Sequence, residues 1–289
     1  MQKITTKENG VSWIQVTPLA IILLGFLIAP LLVILTVSFW EYDIGGMYPA
    51  FSHVNYTEIL TSHTTINLYL RTFKFTFFVW LITLSIGFSV SYFLSFCVAS
   101  TTWRIALFLL CTIPFWTSNV IRMIAWIPFL GRNGAINQGL ASMGLIDQPL
   151  EFLLFSEFAV ILTYVHLYTL FMIVPIFNAM SKIDPDVIEA ARDAGANGWQ
   201  IVRHIIVPLT LNGVALGSIF IITLVMGDFF IVRVMSGGLS GSVASAMYNE
   251  ITGLQYPAAA ANAVLLVITV VLLVSVILRF VDVRKVLTE

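Results

Sequence analysis

Residues 182–195 read Lys182-Ile183-Asp184-Pro185-Asp186-Val187-Ile188-Glu189-Ala190-Ala191-Arg192-Asp193-Ala194-Gly195, a polar stretch set between the apolar runs Phe158–Met180 and Leu209–Val232. Asp184 is a good N-cap, and Pro185 suits the first helical position, where no amide partner is needed. Asp186 and Glu189 then lie near the positive end of the helix dipole. Val187, Ala190, Ala191 and Ala194 recur at spacings of three and four, which places them on one face. Gly195 and Asn197-Gly198 are stop signals, and a second short helix, Trp199–Val207, is expected to lead to Pro208 and the next run. Capping marks only a helix start, so these residues describe equally an ordinary surface helix and a helix whose small side chains let a partner approach closely.

The flanking runs settle the solvent. The chain has 289 residues, 59% apolar and 10% charged, against about 25% charged in a soluble domain, and its mean hydropathy is +0.96. Too little polar surface exists to cover such a chain in water, so its surroundings are mostly lipid. Six runs are long enough to cross about 30 Å of hydrocarbon as helices: residues 18–40, 75–99, 105–130, 158–180, 209–232 and 258–280. Backbone groups in lipid must satisfy each other, which leaves helices as the form for runs this long. Pro114 and Pro128 in the third run and Pro175 in the fourth predict kinks. The first run has no small-residue cleavage site after it and reads as an uncleaved span. Cys97 and Cys111 fall inside apolar runs and read as small buried hydrophobes.

Cations near span ends set orientation. With both termini inside, Lys3, Lys7, Arg104, Lys182, Arg192, Arg203, Arg279, Arg284 and Lys285 are cytoplasmic, nine of the 14 Lys and Arg residues. Arg71, Lys74, Arg122, Arg132 and Arg233 remain, and Arg71 with Lys74 at the outer end of the second span weakens the bias. Trp40 and Trp103 stand at span ends, where an amphipathic ring suits the headgroup layer. The outer connections are long (41–74, 131–157 and the Gly/Ser-rich 233–257), and Glu250 in the last either touches solute or a binding protein or, as expected of such a connection, is solvated. No internal repeat, low-complexity tract or soluble domain stands out, so residues 1–289 read as one transmembrane domain.

The residues of the opening stretch also resemble a known family. Glu189-Ala190-Ala191, Gly195, Ile205 and Pro208 match the signature loop of ABC-importer permeases: Glu-Ala-Ala, three residues, Gly, nine residues, Ile, one residue, Leu, Pro. Val207 in place of Leu is the one departure. The loop also lies two spans before the C-terminus, as it does in that family. Pro114-Phe115-Trp116-Thr117 followed by Ile121-Arg122, then Gly131-Arg132-Asn133-Gly134-Ala135-Ile136-Asn137, resemble the third-span region of spermidine/putrescine permeases. Met226-Gly227-Asp228-Phe229 with Gly237-Gly238 resembles their fifth-span exit. The resemblance implies an all-α bundle of six transmembrane helices of the type I importer kind, multi-pass in a bacterial inner membrane, with a cytoplasmic coupling helix. It implies as partners a second permease, two ATPase subunits and a periplasmic or lipid-anchored binding protein, with ATP and Mg held by the ATPase. Glu189, Ala190, Ala191 and Gly195 would then couple to that ATPase. Permeases for opines, aminoethylphosphonate and ferric iron share much of this pattern and leave the solute open.

The chain contains no Gly-Lys dipeptide and therefore no phosphate-binding P-loop of its own. His53, His63, His166 and His204 are scattered without HExxH or paired Cys/His spacing, so no metal site is expected; nor is a cofactor in this chain or a nucleic-acid partner expected. An ionised side chain in mid-bilayer costs about 2.5–3.5 kcal/mol on insertion scales. Arg122 and Asp228 therefore stand out, and at 1.5 Å per residue they lie about 26 and 28 Å up their helices. They either pair as a structural bridge or face the pathway, with Asp228 accepting a cationic amine or Arg122 or Arg233 an anion. Trp116, Trp126 and Phe115 suit either aromatic walls for an ammonium group or plain interhelical packing. Two other classes stay open. An intramembrane hydrolase would use Ser242 and His166, though nothing in the sequence sets a hydroxyl beside a base; a stand-alone channel or carrier would leave the polar helix without a role.

Overall fold

A computed structural model of the chain describes residues 8–43 and 45–279. Lys3, Lys7, Arg284, Lys285 and Phe280, with both termini, lie outside the described residues. Helix dominates, interrupted by one short two-stranded ladder. Among the described residues, five helices are long and apolar enough to cross a membrane: Gln15–Val37, His63–Cys97, Glu157–Met180, Gly198–Gly227 and Tyr256–Arg279. The expected third span differs in kind. Instead of one kinked helix, Thr101–Trp116 and Asn119–Ser142 meet at a bend of 91°, so it completes a set of six only if that pair counts as one span. The cause is local: Pro114 opens a 3-10 turn at Ile113–Trp116, and Thr117 caps it by donating both its amide and its hydroxyl to Pro114 O.

Other boundaries shift for readable reasons. The second span starts at His63, twelve residues before the expected Phe75 (75 − 63), because the mixed segment 63–74, which carries Arg71 and Lys74, continues the helix beyond the apolar run. No separate helix ends before Pro208. Gly198–Gly227 is continuous, and the turn Val202–Ile206 widens to π geometry, with Val207 N–H bonding to Val202 O. The first span does the same at Leu24–Ile28, two residues before Pro30. A widened turn makes room where a proline ring would press on the preceding carbonyls and withhold its own N–H.

Packing groups the described residues into two compact units. One comprises the amino-terminal part through His63 together with residues 247–267. Within it Asn55 closes the end of the first span, donating its amide to Ser38 O at 3.0 Å and Trp40 O at 2.8 Å, while Ser38 Oγ meets Tyr56 Oη at 2.6 Å. Strands Glu41–Asp43 and Gly46–Tyr48 pair antiparallel in register Glu41↔Tyr48, inside what the sequence presents as a plain connection.

The other unit comprises residues 64–246 and the chain from Ile268 onward. Its core is strung along the fourth span, where Tyr164, Leu167, Met172, Ile176 and Met180 are fully buried. Phe75 and Val79 of the second span, Met123 and Leu130 beyond the bend, and Ile221 and Val225 of the fifth pack around them. In lipid no hydrophobic force drives spans together, so close approach has to do it. Gly213 and Gly217 of the fifth span supply that approach: a Cβ at Gly213 would lie 2.5 Å from Pro175 O, and one at Gly217 2.6 Å from Met172 Sδ. Trp80 Nε1 donates to Ser218 Oγ at 2.8 Å, and Ser91 Oγ to Ile173 O at 3.1 Å, adding interhelical bonds. Lys74 is ion-paired with Glu157 at 2.6 Å, which offsets a cation at the expected outer end. Cys97 is exposed at the end of the second span rather than buried, and Cys111 is partly buried.

Candidate functional site

The polar stretch folds as the helix Pro185–Asp193. The Asp184 carboxylate accepts from Asp186 N at 3.0 Å, and Pro185 fills the first turn. Gly195 N bonds to Arg192 O and Ala196 N to Ala191 O, the paired closure of a Schellman motif, with Gly195 at φ +85°. Glycine stands here because the turn needs a left-handed residue. Asn197 then opens the fifth helix with a reciprocal capping box to Gln200. The expected common face of Val187, Ala190, Ala191 and Ala194 is divided. Ile188 turns inward as a buried member of the core cluster, and Ala191 packs against that cluster. Val187, Glu189, Ala190 and Ala194 are exposed. The i, i+3 pair Ile188 and Ala191 sets the inner face, and the rest of the expected stripe falls outside it. Ile188 thereby joins this helix to the same core that packs the spans.

Arg122 and Asp228 do not pair; no ion pair links them among the described residues. Counting rise along a straight helix fails for Arg122, because the span turns through 91° before reaching it. Arg122 bonds instead to Asn119 Oδ1 one turn back. Asp228 ends the fifth span and caps the short helix Phe230–Met235, accepting from Ile231 N at 2.8 Å. Its other oxygen accepts from Tyr168 Oη at 3.2 Å, and Tyr164 Oη reaches Asp228 O at 3.3 Å and Oδ1 at 3.5 Å. Trp126 Nε1 donates to His166 Nδ1 at 2.9 Å, and the Arg122 guanidinium acts electrostatically on both His166 and Tyr168. Three of the four expected pathway residues, Asp228, Arg122 and Trp126, thus converge on one stretch of the fourth span.

Trp116 stands apart from them, 88% exposed on the wall of a cavity of about 1060 Å³. Phe115, Phe171, Asn178, Asn212 and Phe220 share that wall, and Lys182 and Asp184 stand on it beside the loop helix. Aromatic rings join the two places. Tyr164 stacks on Tyr168 at 5.6 Å, Tyr168 meets Phe171 at 6.1 Å, and Phe171 touches Phe115 at 4.8 Å and Phe220 at 6.0 Å. The tyrosines escape a search for intramembrane charges, although Tyr164, Tyr168, Phe171, Pro175 and Asn178 recur at spacings of three and four and mark one face. The Gly131–Asn137 segment has a structural role: buried Asn137 donates to Gly131 O and Leu150 O and accepts from Leu150 N. A Cβ at Gly134 would lie within 2.8 Å of three carbonyl oxygens.

Comparison with known proteins agrees with this architecture. The chain is 31% identical over 260 residues to the spermidine/putrescine transport system permease protein PotB of Haemophilus influenzae, covering 89% of each chain. It is 30% identical to the PotB protein of Escherichia coli, over 86% of this chain and 90% of that one. It is also 30% identical to the osmoprotective compounds uptake permease protein GgtC of Synechocystis, over 81% and 85%. A bacterial alginate ABC transporter, solved in complex with an alginate-bound periplasmic protein, contains a chain that superposes with a TM-score of 0.73 at 19% identity, over 94% of this chain and 93% of that one. No family model matches. The membrane-length segments, the capped loop and these relatives together establish that the chain belongs to the ABC-transporter permeases, the family that includes the PotB proteins, and is a transport subunit rather than an enzyme.

Proposed function

We propose that this chain forms one half of the pore of an ATP-driven importer for a small cationic solute, a linear polyamine such as spermidine or putrescine fitting best. One observation carries the choice of solute: the Asp228 carboxylate, held by two tyrosine hydroxyls and an amide, stands at the head of a run of aromatic rings that leads to the large cavity. A carboxylate attracts an ammonium group, and ring faces carry it onward without binding it as tightly. The names of the PotB relatives point the same way. In this reading a second permease covers the cavity, and two ATPase subunits bind ATP with Mg. A periplasmic or lipid-anchored binding protein delivers the solute across the inner membrane. The termini and the helix Pro185–Asp193 face the cytoplasm, where Glu189, Ala190 and Ala194 meet the ATPase and Gly195 shapes the turn behind them.

An anionic or zwitterionic solute, such as an opine or aminoethylphosphonate, is favoured by a different observation: among the described residues, Arg122 Nε is buried without a partner beside the same cluster. The two readings separate in ATP-dependent uptake into membrane vesicles holding the chain and its partners. Asp228→Asn should cut spermidine uptake at least tenfold while the complex still assembles. Unchanged uptake in that variant would remove Asp228 from the pathway, and a complex that hydrolyses ATP yet ignores spermidine would transfer the assignment to Arg122.

A further inference from the structure

Glu250 is not solvated as its place in a long connection suggests. It lies on the helix Val243–Thr252, and its Oε1 accepts from Asn262 Nδ2, in the first turns of the last span, at 2.8 Å. Asn262 is 2% exposed. Each group keeps a second acceptor, Glu250 Oε2 and Asn262 Oδ1, and both atoms are sealed from water and without a partner among the described residues. Two buried acceptors cannot satisfy one another, and each left bare is costly. One proton shared between the two oxygens satisfies both at once.

We infer that Glu250 and Asn262 form a proton site, with Glu250 neutral in this conformation. The carboxyl takes one proton from solvent on Oε2 and donates it to Asn262 Oδ1, while Asn262 Nδ2 donates to Oε1. The acid and the amide then close a ring of two hydrogen bonds in which no acceptor is left over. Burial holds the Glu250 carboxyl above its ordinary value, and the Asn262 amide alone opposes that shift. The other titratable groups facing this place are Tyr42 on the strand Glu41–Asp43, on which Glu250 acts electrostatically, and Glu58 on the helix Val54–Thr61, which acts on the same tyrosine. Neither is a cation that would hold Glu250 ionised, and no cation pairs with it among the described residues. The ring latches the Glu250 turn to the last span. A carboxyl whose folded value is raised binds its proton more tightly when folded, so the latch holds at low pH and is lost as pH rises through the folded value.

The test is isotope-edited infrared spectroscopy of the full chain in lipid nanodiscs, comparing ¹³C-glutamate-labelled with unlabelled protein. Labelling only glutamate separates Glu250 from Asp228. The expected result is a protonated-carboxyl C=O band at pH 6 that moves on labelling, disappears as pH rises and is absent from Glu250→Gln, whose amide preserves both ring bonds. Asn262→Leu, which removes the acceptor of that proton, should shift the same band. A wild-type spectrum with no label-sensitive protonated carboxyl at pH 6, or a band that survives in Glu250→Gln, overturns the assignment. The wild-type spectrum alone decides the first point if a variant fails to fold.

Discussion

The fourth and fifth spans are held together by absence of side chain, and a single methyl group should measure how tightly. In Gly213→Ala the new Cβ would sit 2.5 Å from Pro175 O, 2.8 Å from Ala179 Cβ and 3.0 Å from Pro175 C. Real Cβ contacts essentially never fall below 3.0 Å, so the spans must part by at least 0.5 Å (3.0 − 2.5). All three neighbouring atoms are backbone or a Cβ, and none can swing away. A gap of that size forfeits a quarter to a half of each dispersion contact along the seam, and overpacking of this kind costs about 1–3 kcal/mol. Gly217→Ala presses first on Met172 Sδ at 2.6 Å, the mobile end of a flexible side chain, with backbone no nearer than 3.2 Å. Its cost should fall near ~1 kcal/mol, at the low end of the same range. Gly139 has nothing within 4 Å and lies inside the helix Ala135–Ser142, so Gly139→Ala should be neutral or stabilising by ~0.5 kcal/mol. Thermal unfolding in one detergent gives the order. At about 2–4 °C per kcal/mol, Gly213→Ala should melt several degrees below wild type, Gly217→Ala one to a few below, and Gly139→Ala at or above it. A Gly213→Ala protein as stable as wild type, or a Gly217→Ala protein that suffers more, would refute the reasoning from contact geometry.

Gly195 gives a cleaner backbone test, since nothing lies within 4 Å of its Cβ position and only φ +85° is at stake. Gly195→Ala should cost ~1 kcal/mol and Gly195→Asn distinctly less, because asparagine tolerates the left-handed region; equal melting temperatures for the two would contradict the motif. Asn137→Ala removes three hydrogen bonds at a side chain 2% exposed. It should lower stability by ~2–3 kcal/mol, read as a loss of folded yield in detergent, whereas Asn133→Ala in the adjacent turn should cost far less. Tyr168→Phe leaves one Asp228 oxygen with a single fewer donor and is expected to weaken spermidine uptake less than Asp228→Asn does; the reverse order would place the solute contact on the tyrosine.

The membrane class and most of the spans were legible because they depend on composition summed over twenty residues. The loop helix was legible for another reason: Asp184, Pro185 and Gly195 carry their own local chemistry, and each does in the structure what its residue type favours. The break after Pro114 was half visible. Proline announces a disturbance, but whether it becomes a slight kink or a 91° turn depends on what packs against it, and single-chain periodicity does not contain that. The same limit applies to Arg122, because rise along a straight helix ignores the 91° turn that precedes it. Asp228 stands out through the cost of a charge in lipid, while its partners Tyr164 and Tyr168 carry no charge and give no such signal. Glu250 was misplaced because a glutamate in a Gly/Ser-rich connection looks solvated until a distant asparagine is known to meet it.

The central claim is that an ATP-driven machine moves the spans of this chain through the helix Pro185–Asp193. The most direct test reconstitutes the chain with its mate permease, ATPase subunits and binding protein in proteoliposomes, and measures ATP hydrolysis and solute uptake together in wild type and in Glu189→Lys. The account predicts uptake that requires ATP in the wild type, and hydrolysis without uptake in the variant, with the complex still assembled. Uptake by Glu189→Lys at the wild-type ratio of solute to ATP would contradict it.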